Sequence, residues 1–573
     1  MSQKDFQVVG TNSQALFTLK IHRGDGMALI AMNWKNSKKP PKDFVGFAIE
    51  YKEPGGDKYF ALSNRISFKD SGVVSASRKS SLLSPFQKFR WVHFPMNPEK
   101  KGLYTYKVTP VFMDKDDQLT YGKSQQAKLQ LRRETYPKQL NIAYTRGFVS
   151  SQAFAERYCS TNEEVNTLIP GSSKEGIRFQ PTHPKSGEAL AWMGFEARQV
   201  INDLLDQAIA DQTAQVKVIA YDLSEGSIVR KLEKLGNRLK IIIDNDGDHG
   251  ETGSGENQAE KILKLSAGNE NVIRQHAGGL QHNKMIIVDG KKIRAALGGS
   301  TNYSWRGLFV QSNNAVVVHG EKAIKPFAVA FENYWLQGDG VSVFAKSSSA
   351  EWSDLGLTGI KAKVCFSPHN TANSVLDKIA QDINAVNSSL FFSLAFLNQT
   401  PGTIKEAIKQ IKDDDQIFCY GLADKKVGGL ELTRPDGKTS VVSPTALKKN
   451  LPTAFKREVD GGSGVRMHHK FLVLDFNKPS ARVYTGSYNF SKAADGKNGE
   501  NLWLIEDRRI ATSYAIASLA MFDHYHFRVI QEQAAKARME IVLSKPPRTA
   551  AEKAWWEEDY TNTRKIMDRK LFA

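Results

Sequence analysis

Cysteine is nearly absent from this chain: Cys159, Cys365 and Cys419 are the three in 573 residues. An odd number scattered this widely excludes a disulfide framework and fits a reducing compartment. Long apolar runs are missing as well, and nothing approaches the roughly 18 consecutive residues of a spanning helix. Met1-Ser2-Gln3-Lys4-Asp5 does not start a secretory leader. A cytoplasmic protein is expected, or one exported without a cleaved signal. Metal-ligand patterns are equally scarce. The stretch from Asp244 to Gly250 begins like a calcium loop, but His249 and Gly255 occupy the positions where such a loop needs Gly and Glu. It reads as a polar loop after a strand, able at most to border a functional site. His319 and His369 lack partners at ligand spacing, and His524 with His526 is too sparse for zinc. No metal and no cofactor is expected. Gly278-Gly279 and Gly461-Gly462-Ser463-Gly464 lack the Gly-Lys-Ser/Thr ending of a phosphate-cradling loop and read as tight turns.

Positive charge is what the chain has in excess: 79 basic against 61 acidic residues, a net +18. Such a field draws in polyanions. Nucleic acid and an anionic bilayer satisfy it equally. A hydrophobic share of 40% is that of a globular protein, and the length implies about two to four domains.

The first 136 residues show no helical periodicity. Short alternating runs around residues 16–21, 28–34, 45–51, 102–111 and 127–131, separated by Gly, Pro and Asp turns, predict a β-sandwich. From Asn141 helices and strands alternate. Residues 200–209, 227–235, 375–386 and 403–411 carry helical spacing; residues 216–221, 239–243, 390–396 and 416–420 read as strands. The order repeats, which predicts an α/β duplication with halves at 137–345 and 346–573, the second including the C-terminal tail. Halves related by a pseudo-twofold would share an interface. Near the end, Trp555-Trp556 is expected to staple a terminal helix to the body of the protein, with insertion at a membrane surface as the alternative.

Each repeat ends in the same pattern. His282-Asn283-Lys284 with Asp289 and His468-His469-Lys470 with Asp475 both read H-x-K-x4-D. Each is trailed by a matching block, Gly299-Ser300-Thr301-Asn302-Tyr303-Ser304 and Gly486-Ser487-Tyr488-Asn489-Phe490-Ser491. The aliphatic runs after each Lys read as buried strands, so His and Lys at i and i+2 point the same way. His469 then faces away, as a bystander. Asp289 and Asp475 fall on the opposite face and are expected to support the strand end. An imidazole beside a fixed cation suits reaction at an anionic ester: lysine neutralises phosphate oxygens, while imidazole attacks phosphorus or carries a proton. Asn302 and Asn489 supply amide donors, Ser300 and Ser487 hydroxyls, and fixed charges of this kind stabilise an anion without a metal. Trp305-Arg306 is a candidate for lining the substrate pocket.

With these residues in hand, the chain resembles the phospholipase D superfamily, whose hallmark is the duplicated HKD motif. The resemblance covers roughly residues 138–573. It implies a pseudo-twofold duplicated α/β fold, here preceded by an all-β sandwich that is itself similar to a fibronectin type III module. It also implies ping-pong phosphodiester cleavage, with His282 as nucleophile and His468 as general acid/base. Lys284, Lys470, Asn302 and Asn489 map onto the phosphate-binding positions. Eleven residues after Asn489 stands Glu500, and eleven after Asn302 stands Asn313; family members often hold the opposite histidine from there. Glu500 would orient His282. Asn313 would face His468 with a shorter side chain than the usual Gln, and Gln311 is a possible substitute. The implied substrate is a glycerophospholipid at a membrane surface, the alternatives being a nucleic acid or phosphatidyl transfer, by a chain that works as a monomer because both half-sites lie in it.

Overall fold

Alternating burial shapes the front of the chain. In Phe17–Gly24 the side chains of Phe17, Leu19 and Ile21 are buried while Thr18 is exposed, the signature of a strand with one face on a core. The computed structural model describes residues 6–69, 79–131, 134–147, 154, 157–158, 162–337, 340–397, 401–423, 441–442 and 468–573. Cys159 and the turn Gly461-Gly462-Ser463-Gly464 lie outside them; Cys365 and Cys419 are buried free thiols.

The chain divides into two compact units. One comprises Met1–Arg133, Thr512–Ala520 and Phe527–Ala573. It contains an antiparallel sheet ordered Gln7–Val9, Phe17–Gly24, Met27–Trp34, Arg90–His93, and a second built on Tyr104–Met113 and Phe44–Lys52. Side chains from both sheets, among them Ile21, Ile30, Phe47 and Tyr106, share one core. Trp556 enters that core, and Trp555 packs against Phe44 and Phe89 with ring centroids at 5.6 and 5.4 Å, its Nε1 donating to the Phe44 carbonyl at 3.1 Å. The tail expected with residues 346–573 therefore belongs to the β-rich unit instead. Burying large apolar side chains is favourable by about 1.5–3 kcal/mol each, and here the surface that buries them is supplied by the N-terminal sheets.

The other unit comprises Glu134–Ala511 and Met521–His526. Its seven-stranded sheet runs in the order Leu140–Tyr144, Asn314–His319, Arg294–Gly299, Lys284–Asp289, Gln215–Ala220, Leu239–Asp244, Val272–Gln275. Its eight-stranded sheet runs Ser353–Asp354, Lys361–Ser367, Glu500–Glu506, Arg482–Gly486, Lys470–Leu474, Ser389–Leu394, Phe418–Ala423, Val441–Val442. In both, the strand carrying the H-x-K motif is antiparallel to its two neighbours, and the strands beyond run parallel on one side and antiparallel on the other. The helices expected at 200–209, 227–235, 375–386 and 403–411 appear within Ser186–Ala210 and as Gly226–Glu233, Leu376–Asn384 and Thr403–Asp413. Among the described residues no helix is long and apolar enough to cross a membrane.

Candidate active site

The two motif strands begin at their lysines, Lys284 and Lys470, so each histidine sits just outside the sheet on the entering chain. Lys284 donates its ammonium to the His282 carbonyl, and Lys470 does the same to the His468 carbonyl at 2.7 Å. Each motif thus ties its cation back to its own histidine. His282 and Lys284 both rest on the ring of Tyr221, at 4.6 Å each, so they share a face.

The two imidazoles face one another with ring centroids 6.2 Å apart. Each is held from the opposite sheet. His282 Nδ1 is 2.7 Å from Glu500 Oε2. His468 Nδ1 lies 2.8 Å from Asn313 Oδ1 and 3.1 Å from the Ser300 carbonyl. Asn313 does reach, despite its short side chain, so Gln311 is not needed as a substitute; the Gln311 backbone carbonyl accepts from Thr145 Oγ1 at 2.8 Å. Both Nδ1 atoms face acceptors and so carry hydrogen, which places the lone pair of each neutral ring on Nε2.

A second layer repeats the crossing. Asn501 donates to Asn283 Oδ1 at 3.1 Å, and Asn314 donates to His469 Nδ1 at 3.3 Å. His469, expected to be a bystander, faces away from the site as anticipated but bonds across to the other sheet; burial lowers its imidazole to about 3, which keeps it a neutral acceptor. The serines serve the same joint: Ser300 Oγ donates to Asn313 Oδ1 at 2.9 Å and accepts from Asn314 N at 3.0 Å, and Ser487 Oγ accepts from Asn501 N at 3.0 Å. The glycine before each serine has positive φ, +132° at Gly299 and +140° at Gly486. A Cβ there would strike the Asn314 or Asn501 carbonyl, so only glycine lets each strand lie against its neighbour in the same sheet.

Asp289 and Asp475, alike in the motif, part company. Asp475 is buried and accepts from the backbone N–H of Asn387, Ser388 and Ser389 at 3.2, 2.8 and 3.2 Å, fixing the strand end. Asp289 is exposed and pairs with Arg294 at 3.0 Å. In its half Asp211 performs the anchoring, accepting from Lys292 N at 2.7 Å. The supporting role expected for Asp289 is corrected accordingly. Trp305 is buried, donates to the Gly176 carbonyl at 2.9 Å and packs on Phe179 and Phe309, so it is core rather than pocket wall.

Charge is confined here. Burial, reinforced by the two lysines, pushes both His282 and His468 well below the ordinary histidine range. Burial lowers Lys284 to about 7 and drives Lys470 well down, while it raises Glu500 to about 7 against the pull of Lys284. Burial thus disfavours the charged form of both histidines and both lysines, and the lysines add to this at His282, His468 and Lys470.

Sequence reasoning missed a cluster beside the first motif. Asp222 Oδ2 accepts from Asn302 Nδ2 at 2.8 Å and from Ser304 Oγ at 3.3 Å. Asp222 Oδ1 is 2.8 Å from His249 Nε2, and His249 Nδ1 is 2.7 Å from Asp244 Oδ2. Burial alone would lower His249, but its bonds to the two aspartates outweigh that and raise it to about 11. The visible signal was the polar loop after residue 243; its partner Asp222 lies just beyond a different strand, Gln215–Ala220, so spacing could not join them. Asp222, His249 and Glu256 are also the one group with metal-ligand atoms, within 4.8 Å, found among the described residues. Both His249 nitrogens already face carboxylates, so a cation there must displace a proton. Asn489 is half-buried, and its Oδ1 has no partner among the described residues.

The sequence around these motifs is similar to known proteins. A family profile described as "Cardiolipin synthase, PLD-like domain" matches residues 204–335 and 431–517. A phospholipase D of Rickettsia bellii is 47% identical over 159 residues, covering 28% of this chain and 67% of that protein. A phospholipase D of Rickettsia prowazekii is 49% identical over 127 residues, 20% of this chain. The match spans 59% of that second relative's length. A phosphatidylserine synthase structure from Haemophilus influenzae aligns with a TM-score of 0.40 at 12% identity, over 60% of this chain and 92% of that one. The chain belongs to the phospholipase D superfamily.

Proposed function

We propose that the protein is a metal-independent phosphodiesterase of phospholipase D type, which hydrolyses a glycerophospholipid to phosphatidate and a headgroup alcohol through a phosphohistidine. In this reading residues 137–511 are two α/β halves duplicated about a pseudo-twofold, with the β-rich unit as an appended module. The observation that carries the reading is the pair of buried imidazoles 6.2 Å apart, each held through Nδ1 by the opposite sheet. A phosphorus atom between them is open to attack on one side and departure on the other.

Neutral His282 attacks phosphorus with the Nε2 lone pair. The N–P bond forms as the P–O bond to the headgroup breaks, and His468 Nε2 gives its proton to the leaving oxygen. His468 must be cationic for that step, and the bound phosphate supplies the charge that makes it so. Glu500 balances the positive charge that develops on His282. Water then attacks phosphorus, His468 takes its proton, and the N–P bond breaks to regenerate His282. Lys284, Lys470, Asn302 and Asn489 stabilise the phosphoryl oxygens throughout.

The names of the Rickettsia relatives support a lipid substrate. The net charge of +18 favours a second reading, a nuclease of the same chemistry. Initial rates in excess EDTA on phosphatidylcholine–cardiolipin vesicles and on single-stranded DNA, with His282→Ala as the blank, separate the two. Headgroup release without DNA cleavage supports the lipase; DNA cleavage alone overturns it. Added primary alcohol reports transfer, because a new phosphatidyl alcohol then replaces part of the phosphatidate.

A further inference from the structure

Beside the first motif the hydrogen bonds form an unbroken chain. Gln281 N, on the residue before His282, donates to Asp244 Oδ1 at 2.7 Å. Asp244 Oδ2 meets His249 Nδ1 at 2.7 Å, and His249 Nε2 meets Asp222 Oδ1 at 2.8 Å. Asp222 Oδ2 takes the Asn302 amide at 2.8 Å. The backbone that carries one histidine is thereby linked to an amide at a phosphate-binding position. Tyr221 closes the loop, its ring edge-on to both His249 and His282 at 4.5 and 4.6 Å.

Asn302 shows what this chain enforces. Its Oδ1 is buried without a hydrogen-bond partner among the described residues, a state that costs about 1–3 kcal/mol. Turning the amide over would not relieve it, because Oδ1 would then face the Asp222 carboxylate oxygen. A carboxylate only accepts, so it selects the NH2 end of the amide. One hydrogen goes to Asp222, and the second remains for another acceptor.

We infer that Asp244, His249 and Asp222 form a positioning relay that fixes the Asn302 amide nitrogen toward the phosphate, with His249 serving as a permanent imidazolium that screens the two aspartates from that anion. The inference rests on the phosphodiesterase reading and deepens it. Without His249, Asp222 and Asp244 would stand as unscreened carboxylates beside an anionic substrate, and like charges oppose binding. The groups facing His249 are Asp222, Asp244, Glu256 and Tyr221, with Lys284 and Arg306 acting on Asp222. The two carboxylates bonded to its nitrogens hold the ring charged through neutral pH. Asp244, His249 and Asp222 act through Asn302 and not on the reacting atoms.

A double-mutant cycle tests this with inorganic phosphate as the probe, titrated calorimetrically, and with kcat and KM for headgroup release from phosphatidylcholine–cardiolipin vesicles. His249→Gln is expected to weaken phosphate binding about tenfold or more, and Asp222→Asn to weaken it less, by leaving the Asn302 amide free to turn over. Removing Asp222's charge from the His249→Gln background should restore affinity, so the double variant binds phosphate more tightly than His249→Gln alone. A relay with a purely structural role predicts additive or worse losses, and that result overturns the inference. Should His249→Gln fail to fold, 15N NMR of the histidine-labelled wild-type protein decides: a doubly protonated His249 ring at about pH 8 is expected, and a neutral ring overturns the relay. Phosphate binding by the wild type without release of any headgroup overturns the lipase reading alone. No phosphate binding by the wild type overturns both.

Discussion

Replacing Glu500 by Gln separates charge from shape at the heart of the site. Glu500 is fully buried, with Oε2 2.7 Å from His282 Nδ1. Glutamine fills the same volume and its carbonyl still accepts from the ring, so the imidazole stays aimed while the negative charge is lost. A hydrogen bond to a charged group contributes about 1.5–3 kcal/mol. That difference matters only once His282 becomes positive, during attack and in the covalent intermediate. At about 1.4 kcal/mol per factor of ten, kcat falls roughly 10- to 150-fold with KM little changed. Stability moves the opposite way. Burial raises Glu500 from 4.5 to about 7, so its contribution to the fold is fully present below pH 4.5 and lost as pH rises through about 7. The loss amounts to at most roughly 3 kcal/mol. At about pH 8 the variant should therefore melt higher than wild type, and at about pH 5 the advantage should vanish. Initial rates with saturating vesicles and thermal unfolding at both pH values measure the two effects. Wild-type turnover, or a change in Tm that ignores pH, would refute the charge argument.

Other consequences follow from the same geometry. His282→Ala and His468→Ala should each reduce headgroup release by at least about 10²–10⁴-fold, as loss of a nucleophile or general acid does; substantial activity in either sinks the two-histidine mechanism. Asn313→Ala removes one uncharged acceptor from His468 while the Ser300 carbonyl still holds Nδ1, which corresponds to about 0.5–1.5 kcal/mol and a kcat loss of roughly 2- to 12-fold. A loss larger than that of Glu500→Gln would contradict the ranking. Asp475→Ala frees three backbone N–H groups and should cost about 2–4 kcal/mol in denaturant unfolding. Asp289→Ala removes one exposed ion pair and should cost under about 1 kcal/mol, so equal losses would show that the two motif aspartates are equivalent after all. Gly486→Ala should grossly destabilise the pairing of Arg482–Gly486 with Glu500–Glu506, read as a lowered Tm, because its φ of +140° and the Asn501 carbonyl exclude a Cβ.

Much of this was legible in the residue order. Strand and helix periodicity is local, and so is the H-x-K spacing that puts a cation beside an imidazole, so Lys284, Lys470 and most α/β elements could be read directly. The family resemblance supplied the pairing of Glu500 with His282, separated by 218 residues. Only tertiary packing could decide the rest. Asp289 and Asp475 occupy identical motif positions, yet one anchors three amides and the other faces solvent, because Asp211 already fills the anchoring place in the first half. Trp555 and Trp556 were expected to staple the chain's end to the body of the protein, but the residue order did not say to which part; an aromatic pair goes where apolar surface exists to receive it, and the N-terminal sheets provide it. Asp222, Asp244 and His249 stand on different segments, at a strand's end and in a polar loop. Their opposed charges mean little in sequence and become a single hydrogen-bonded unit once two parallel strands bring those ends side by side.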